Sequence, residues 1–321
     1  MSNAAALLVI SHLRVENANA VSGPLTWGLP PPTAFTGFAR ALQRRLDGVE
    51  LGGVGIVCHH FGPQVYRPPG AFAQVFRLMR HPYNAGWKSF KNEAAALIEE
   101  GRAHLDITLL IEIRTEHTED ARNTLADRIQ TIIPTLRLAG GSIRAWRRIR
   151  VDSWPEWKED QLKDFKKLRY QLLPGFALVQ RDDLLTAHLA TLRQERPEAS
   201  PLEAFLDLLA LHVEPEPGES DAAICKWHYQ RRKAGWLVPL STGFAALSPL
   251  HEAGTVPGAR DAVTPFRFVE GLTTIGQWLS PHRLHDLDQM LWHPETDEEK
   301  GLYLCHNAFP QYTEEESYDD E

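Results

Sequence analysis

The sequence predicts an α+β protein whose first half runs strand, helix, strand, strand, helix, strand. Three observations lead there: a period-two alternation near the N-terminus, a cleaner one over residues 103–113, and two amphipathic stripes of helical period that separate the strands.

Residues 7–16 alternate, with Val9, Leu13 and Val15 on one face and Ile10, His12, Arg14 and Glu16 on the other, the pattern of a half-buried strand. A loop ending in Pro30, Pro31 and Pro32 follows. Thr33 is then placed to cap a helix whose Phe35, Phe38, Leu42 and Leu46 share one stripe. Residues 53–61 read as a second strand. The third carries Leu105, Ile107, Leu109, Ile111 and Ile113 against His104, Asp106, Thr108 and Glu112. Leu125, Ile129, Ile132 and Ile133 mark a second helix over 119–133, stopped by Pro134. Residues 136–146 complete the set as a fourth strand bent at Gly140 and Gly141.

This order is the ferredoxin-like arrangement, which also underlies the RNA-recognition motif, and the polar strand faces would form one open surface. About forty residues, 62–101, separate the second and third strands, too many for a hairpin turn. Within them 75–80 and the Gly86 region suggest an inserted, projecting hairpin. Past 146 the character changes: a charged helical stretch over 156–170, helices near 182–195 and 201–212, an acidic Pro-rich break at 214–218, then Pro- and Gly-punctuated chain to 305. The expected organisation is therefore a core over 1–146 with its insert at 62–101, a mainly helical and irregular second lobe over 147–305, and an acidic tail over 306–321.

The composition, 43% hydrophobic and 24% charged, is that of a folded soluble protein. Six of the eight excess negative charges fall in the last eight residues, which contain no base. The body is thus nearly neutral, and any nucleic-acid contact has to come from local patches. Three cysteines, Cys58, Cys225 and Cys305, form no CxxC pair and argue against a disulfide framework. The first residues lack a basic n-region, and their apolar run is broken by His12 and Arg14. A cytoplasmic location without membrane association is expected.

No Walker loop, GxSxG, HExxH or strand-to-helix GxGxxG is present. The glycines at 52, 53 and 55 open a strand, so a phosphate cradle is not expected there. Candidate metal pairs, Cys225 with His228, Cys305 with His306, and His282 with His285, match no zinc-knuckle spacing, so no metal or other cofactor is expected. His12, His59 or His104 on the sheet would suit metal-independent RNA cleavage, while stacking or hydrogen bonding is the commoner use of such residues.

Two segments interleave basic and aromatic residues: 144–150 (RAWRRIR) and 226–233 (KWHYQRRK). Guanidiniums neutralise phosphates and aromatic faces stack on unpaired bases, so the mixture suits single strands, with a solvated basic face as the plain alternative. The loop over 17–28 is dense in Asn, Ser and Gly, types that read base edges or, more often, close tight turns.

That loop, NANAVSGPLTWGLP at 17–30 followed by AFTGF at 34–38 and ALQRR at 41–45, closely resembles the Csy-two subunit family of type I-F CRISPR surveillance complexes. The resemblance recurs in order through GVGIVCH (53–59), EEGRAHL (99–105), RLAGGSI (137–143), LLPGFALV (172–179), GWLVP (235–239), ALSPL (246–250), ARD (259–261), RFVE (267–270), WLSPHR (278–283) and KGLY (300–303). The segments near 63–96, 144–170 and 214–234 and the acidic tail have no such match.

The resemblance implies a non-catalytic Cas-five-like subunit that holds the repeat-derived 5′ handle of the CRISPR RNA. Its implied partners are the large subunit, the first backbone subunit, and target DNA near its flanking motif. In this reading Asn17, Asn19, Ser22 and Thr26 read the RNA, and Gly140 and Gly141 allow close backbone approach. Arg102, Arg137, Arg144, Arg147 and Arg148 bind phosphates. Trp27 either stacks on a base or belongs to the core. Arg77 and Arg80 lie in a segment that resembles a thumb separating handle from guide. Arg283, with His282, either touches RNA or meets acids at the large-subunit contact. The competing functions are a CRISPR repeat endoribonuclease and a pure protein adaptor between large and backbone subunits.

Overall fold

The structure, a computed structural model, describes residues 4–82, 97–215, 227–229 and 235–311. Its spine is three long antiparallel strands, β1 (Ala6–Asn19), β2 (Leu51–Pro63) and β3 (Arg102–Ile113), with β3 between the other two. Helix α1 (Pro32–Gln43) links β1 to β2, and α2 (Glu119–Ile132) follows β3. The free edge of β1 takes two strands in turn, β4 (Gly141–Ala145) and β5 (Arg148–Ser153), both antiparallel to it.

The apolar face of β3 is as expected, but the polar strand faces do not form one open surface: Thr108 and Glu112 are buried, and Leu110 on that side packs in a second core with Leu7, Val9 and Phe165. Leu105, Ile107, Leu109, Ile111 and Ile113 bury themselves against α1 and α2, in one core with Phe35, Phe38, Leu42, Leu125 and Ile129. Sequence alternation misplaces part of β1. Val9 does not share a face with Leu13; it packs with Leu7 in a second core on the other side of the sheet, while Ile10 joins Leu13 and Val15. The cause is a bulge: the β1–β3 register shifts between Ile10 and Leu13, and His12 takes a left-handed φ of 50°. An extra residue in one strand inverts the alternation beyond it.

Two boundaries also move. The fourth strand is split and runs to Ser153, well past 146, with a short strand Arg137–Leu138 pairing β4 ahead of it. Helix α1 has Pro31 at its cap position and makes no side-chain cap bond, so Thr33 lies inside the helix. Proline at the first helical positions carries no N–H that needs a partner.

The second half is not mainly helical and irregular. Among the described residues it holds three α-helices, α3 (Lys158–Gln171), α4 (Asp182–Glu195) and α5 (Pro201–Leu209), and five strands that join the main sheet: β6 (Phe176–Gln180) between α3 and α4, then β7 (Leu237–Ala246), β8 (Val269–Leu279), β9 (Leu291–Asp297) and β10 (Leu302–Asn307) after α5; Val213–Pro215 and Trp227–Tyr229 pair in a separate short ladder. The five strands continue the first sheet into one of eleven strands, in the path β2, β6, β8, β7, β10, β9. The path then closes on itself. Strand β2 pairs β6 through Cys58 and Val57, and on that same edge pairs β9 through Gly55 and Val54. Helix α3 lies over the opposite sheet face from α1 and α2, where Phe165, Leu168 and Leu172 meet Leu7, Val9 and Leu110.

The 62–101 insert begins with two short ladders, Val65–Tyr66 with Val75–Phe76 and Met79–Pro82 with Leu97–Glu100. The Gly86 region, most of the 226–233 basic segment, Cys225 and the acids of the tail lie outside the described residues.

Candidate nucleic-acid interface

Strand β1 carries a second bulge. Its pairing with β3 shifts again between Val15 and Ala18, where Asn17 adopts φ 59°. Ala139 (φ 48°) completes the set of left-handed non-glycine residues among those described. Such conformations are strained outside glycine, and here two of the three fall where one strand bends. Ala139 and Gly140 (φ 73°) turn the chain between Arg137–Leu138 and β4, and the turn docks on the second bulge through Asn19 N–H donating to Ala139 O at 2.8 Å. Gly141 sits flush on β1, leaving no room for a side chain beside Ala18 N and Glu16 O.

Around this contact the expected residues converge. Arg102 Nη1 donates to Asn17 O at 3.3 Å and its other terminal nitrogen pairs with Glu100. Gln64 Nε2 donates to Asn17 Oδ1 at 2.5 Å. Asn19 folds back on its own loop, its amide donating to Val21 O at 2.7 Å and its oxygen accepting Val21 N–H at 3.2 Å. Arg137 is exposed, with Nη1 donating to Gly140 O and Ser142 Oγ at 3.2 and 3.4 Å. An open depression of about 460 Å³ lies among Asn19, Arg102, Gly140 and Glu99.

The far half of the loop turns inward. Thr26 is only 6% exposed; its hydroxyl donates to Gly23 O at 3.4 Å and lies 3.5 Å from Ser241 Oγ on β7. Ser22 accepts a bond from Ser241 through its carbonyl at 3.3 Å. Trp27 stacks on Phe76 at 3.9 Å and meets Phe61 edge-on, so one ring face is occupied and the indole ties the insert to the core. Its Nε1 is buried without an acceptor among the described residues.

The arginines differ in freedom. Arg80 pairs with Glu99 at 2.8 Å and Arg144 with Glu16 at 2.9 Å, both at the exposed surface; Arg77 rests over Tyr66. Arg147 and Arg148 are exposed and have no acidic partner among the described residues. The Arg147 N–H donates to Ser11 O at the first bulge, and Arg148 pairs Ser11 across the strands. Both line a second cleft of about 310 Å³ with His12, Arg150 and Gln171. Arg283, exposed in the turn Pro281–Arg283 after β8, lines neither cleft.

Beside that second cleft the first bulge assembles a polar chain that sequence reading did not connect. His12 Nδ1 donates to Asp106 Oδ1 at 2.9 Å, and the His12 N–H donates to Thr108 Oγ1 at 3.2 Å. The Thr108 hydroxyl donates to His59 Nε2 at 2.7 Å, and His59 Nδ1 donates to Pro174 O at 2.6 Å. The two imidazoles stack at 4.1 Å. Burial holds the His59 pKa below its ordinary 6.5, and burial pushes the neighbouring Cys58 thiol up to about 12. His104, the third histidine considered, is exposed on β3. Asp106 was legible only as a polar-face residue; the bulge that turns His12 toward it leaves no mark in the residue pattern.

Gly53 donates its N–H to Glu112 Oε2 at 2.6 Å and lies against the His293 ring, which is strand packing and leaves no space for a phosphate. Among the described residues no three His, Cys, Asp or Glu side chains are grouped to hold a metal ion, and no helix is long and apolar enough to cross a membrane.

Residues 8–305 match the family described as CRISPR-associated protein (Cas_Csy2). The chain is also 45% identical, over 93% of its length and 94% of the relative's, to the CRISPR-associated protein Csy2 of Pseudomonas aeruginosa (strain UCBPP-PA14). The chain belongs to the Csy2 family. The family match enters at β1 and leaves within β10, so both bulges, the Ala139 turn and the arginine-lined cleft are parts of the Csy2 domain.

Proposed function

We propose that this chain is a non-catalytic subunit of a type I-F CRISPR RNA-guided surveillance complex. In this reading it acts in the cytoplasm, holds the 5′ handle of the CRISPR RNA, and sits between the large subunit and the first backbone subunit, near the flanking motif of target DNA. The observation that carries it is the paired distortion of β1: two left-handed bulges that present polar backbone and bring exposed arginines to one edge of the sheet. Membership of a CRISPR-associated family supports RNA as the ligand. The strand order β4/β5, β1, β3, β2, all antiparallel with α1 and α2 on one face, is the order a ferredoxin-like or RRM-like core would have.

In this reading Gly140 and Gly141 keep the turn low enough for an RNA backbone to approach, and Asn17 and Asn19 offer amide and carbonyl groups beside it. Arg102, Arg137, Arg147 and Arg148 neutralise phosphates, an interaction that positions the strand without reading its sequence. Ser22 and Thr26 hold the loop to β7, and Arg77 and Arg80 lie within the insert that serves as the thumb. The test is a titration of labelled repeat RNA and a handle-scrambled control against the chain co-expressed with its large subunit. Tight, salt-sensitive, handle-dependent binding with intact RNA is expected. Specific cleavage lost in His12→Asn would replace this reading with the endoribonuclease, for which the Asp106–His12 pair is the one favouring observation. Partner binding without RNA preference would make the chain an adaptor.

A further inference from the structure

One half of strand β8 has no neighbour on its outer side among the described residues. Successive residues of an antiparallel strand aim their backbone N–H and C=O to alternate sides. The even residues of β8 face β7, as both ends show: Trp278 N–H donates to Trp236 O at 3.1 Å, and Phe268 O, just ahead of the strand, accepts from Leu247 N–H at 2.9 Å. The odd residues face β6, which pairs β8 from Leu279 to Gly276. Arg181 N–H then donates to Ile275 O at 2.9 Å and the chain turns away into α4. The register shift between β7 and β8 falls at Ser241 and Gly243, on β7, so the alternation along β8 is unbroken. Val269, Gly271 and Thr273 therefore aim their N–H and C=O outward where β6 has ended. All three are exposed, and these groups have no partner among the described residues. The edge from Val269 to Thr273 also lacks the devices that usually keep a strand border from pairing: it has no proline, no lysine and no bulge of its own.

Beside this edge lies a groove of about 720 Å³, lined by Phe244 and Leu272 of β7 and β8, by Leu202 and Phe205 of α5, and by Leu25 of the loop after β1. Leu25, Leu202 and Phe244 in it, and Val269 at its end, are 42–55% exposed, an apolar patch of the kind that marks an interaction site. The one charged residue on its lining is Glu270, which has no cationic partner among the described residues. We propose that the edge from Val269 to Thr273 takes up an extended segment of the large subunit as an added strand, with alternate apolar side chains of that segment in the groove and a lysine or arginine against Glu270. The inference rests on the reading of the chain as a subunit that pairs with the large subunit. In that reading the first backbone subunit is met across the insert, and no insert residue lines the groove, which leaves the large subunit as the occupant. Backbone pairing supplies the affinity, and the groove selects the sequence that is bound. A second copy of this chain is a poorer occupant: the edge offers an acid and no base, so two copies would bring no cation to either Glu270. No residue of the edge lines either arginine-bearing cleft, so this contact leaves the RNA face free.

The test follows amide hydrogen exchange by mass spectrometry in the full-length chain alone and in the chain co-purified with its large subunit. The amides of Val269, Gly271 and Thr273 should exchange fast in the free chain and at least about tenfold more slowly in the pair, while those of Glu270 and Leu272, bonded to β7, are slow in both. Three variants accompany it. Gly271→Pro removes one outward N–H and no bond to β7, the setting in which an edge strand accepts proline. Gly271→Ala keeps the N–H and is the control; a methyl there meets nothing within 4 Å. Glu270→Lys reverses the one charge of the groove. Gly271→Pro should weaken large-subunit binding by about five- to twentyfold with an unchanged urea midpoint, Gly271→Ala by less than about twofold, and Glu270→Lys by about two- to tenfold, most at low salt. Binding of labelled repeat RNA should be the same in all three as in wild type. A pair that forms and holds RNA with the outward amides still fast overturns the added strand and leaves the proposed function standing. So does slow exchange in the pair with Gly271→Pro binding as wild type, since the edge is then covered without being paired. Protection that appears only with the backbone subunit, or only as the chain dimerises, assigns the edge to another occupant and overturns it too. A wild type that binds neither the large subunit nor RNA overturns both readings.

Discussion

Replacing Gly141 with alanine tests whether the Ala139 turn is locked to the second bulge of β1. The new methyl would lie 2.7 Å from Val15 Cγ1 and 2.8 Å from both Ala18 N and Glu16 O. Ordinary carbon contacts to such atoms need about 3.5 Å, and two of the three belong to backbone that cannot rotate away. The hairpin has to lift from β1, straining the Glu16–Ser142 and Val15–Ile143 pairs and the 2.8 Å bond from Asn19 N–H to Ala139 O. Overpacking of this kind costs about 1–3 kcal/mol, and a lost backbone bond about 1 kcal/mol more. Gly140→Ala is the internal control. Its methyl finds only Arg102 Nη1 at 3.5 Å, so the cost is the left-handed backbone alone, about 1–2 kcal/mol. Urea denaturation of the three proteins should rank wild type, Gly140→Ala, Gly141→Ala in falling stability, and Gly141→Ala should lose more RNA affinity than Gly140→Ala because Asn17 shifts with the strand. A Gly141→Ala protein as stable as Gly140→Ala would show that turn and bulge move independently.

Three other outcomes follow from contacts already described. His59 titrates below its ordinary 6.5 in the fold, so as pH drops beneath 6.5 the unfolded chain takes up a proton that the folded ring refuses, and stability falls toward the lowered folded value. Urea midpoints should decline more steeply between pH 7 and pH 5.5 in wild type than in His59→Gln; parallel declines would place the titrating group elsewhere. With its thiol pushed up to about 12, Cys58 carries almost no thiolate near neutrality, so peptide mapping after brief maleimide treatment should find it unlabelled in the native protein and labelled in urea. Trp27→Ala removes the ring against which Phe76 is stacked, an interaction worth about 0.5–1.5 kcal/mol beyond its area. Limited proteolysis within 65–76 should accelerate by about two- to tenfold, and an unchanged rate would mean that the insert is anchored by other contacts.

The strands and helices of the first half were readable because their signals are local and regular. The Leu105 to Ile113 run holds no inserted residue of its own, the extra positions lying in the strands paired on either side of it, and the Phe35 to Leu46 stripe turns one face to the sheet. Strand β1 was readable as a strand but not in its faces, since nothing in the residues of Ser11 and His12 announces an inserted position. The second half hid its strands behind residues that usually argue against them. Pro239 and Pro294 sit inside β7 and β9, and Gly243 is required where β7 crosses so near Tyr303 O that a methyl would collide. At the site, the polar loop and the arginines could be named from residue type and family resemblance. Which of them are spent on other work could not: Thr26 is turned inward by its docking on Ser241, a residue remote in sequence, and Arg144 is matched with Glu16 across the strand pair.

The two-sided use of one edge of β2 bears on how the chain is made. During synthesis Val57 and Cys58 emerge long before Ala177 and Phe176, and Gly55 must wait for Leu291, which comes later still. Until then β2 can pair β3 but leaves a row of unpaired amides and carbonyls, the kind of border that recruits stray strands. The early half can therefore gather its own core on the ribosome, yet it is sealed only when the last strands arrive and shut the ring. A chain truncated before β9 would carry its helices and its arginine cleft intact and still be a sticky, unfinished molecule.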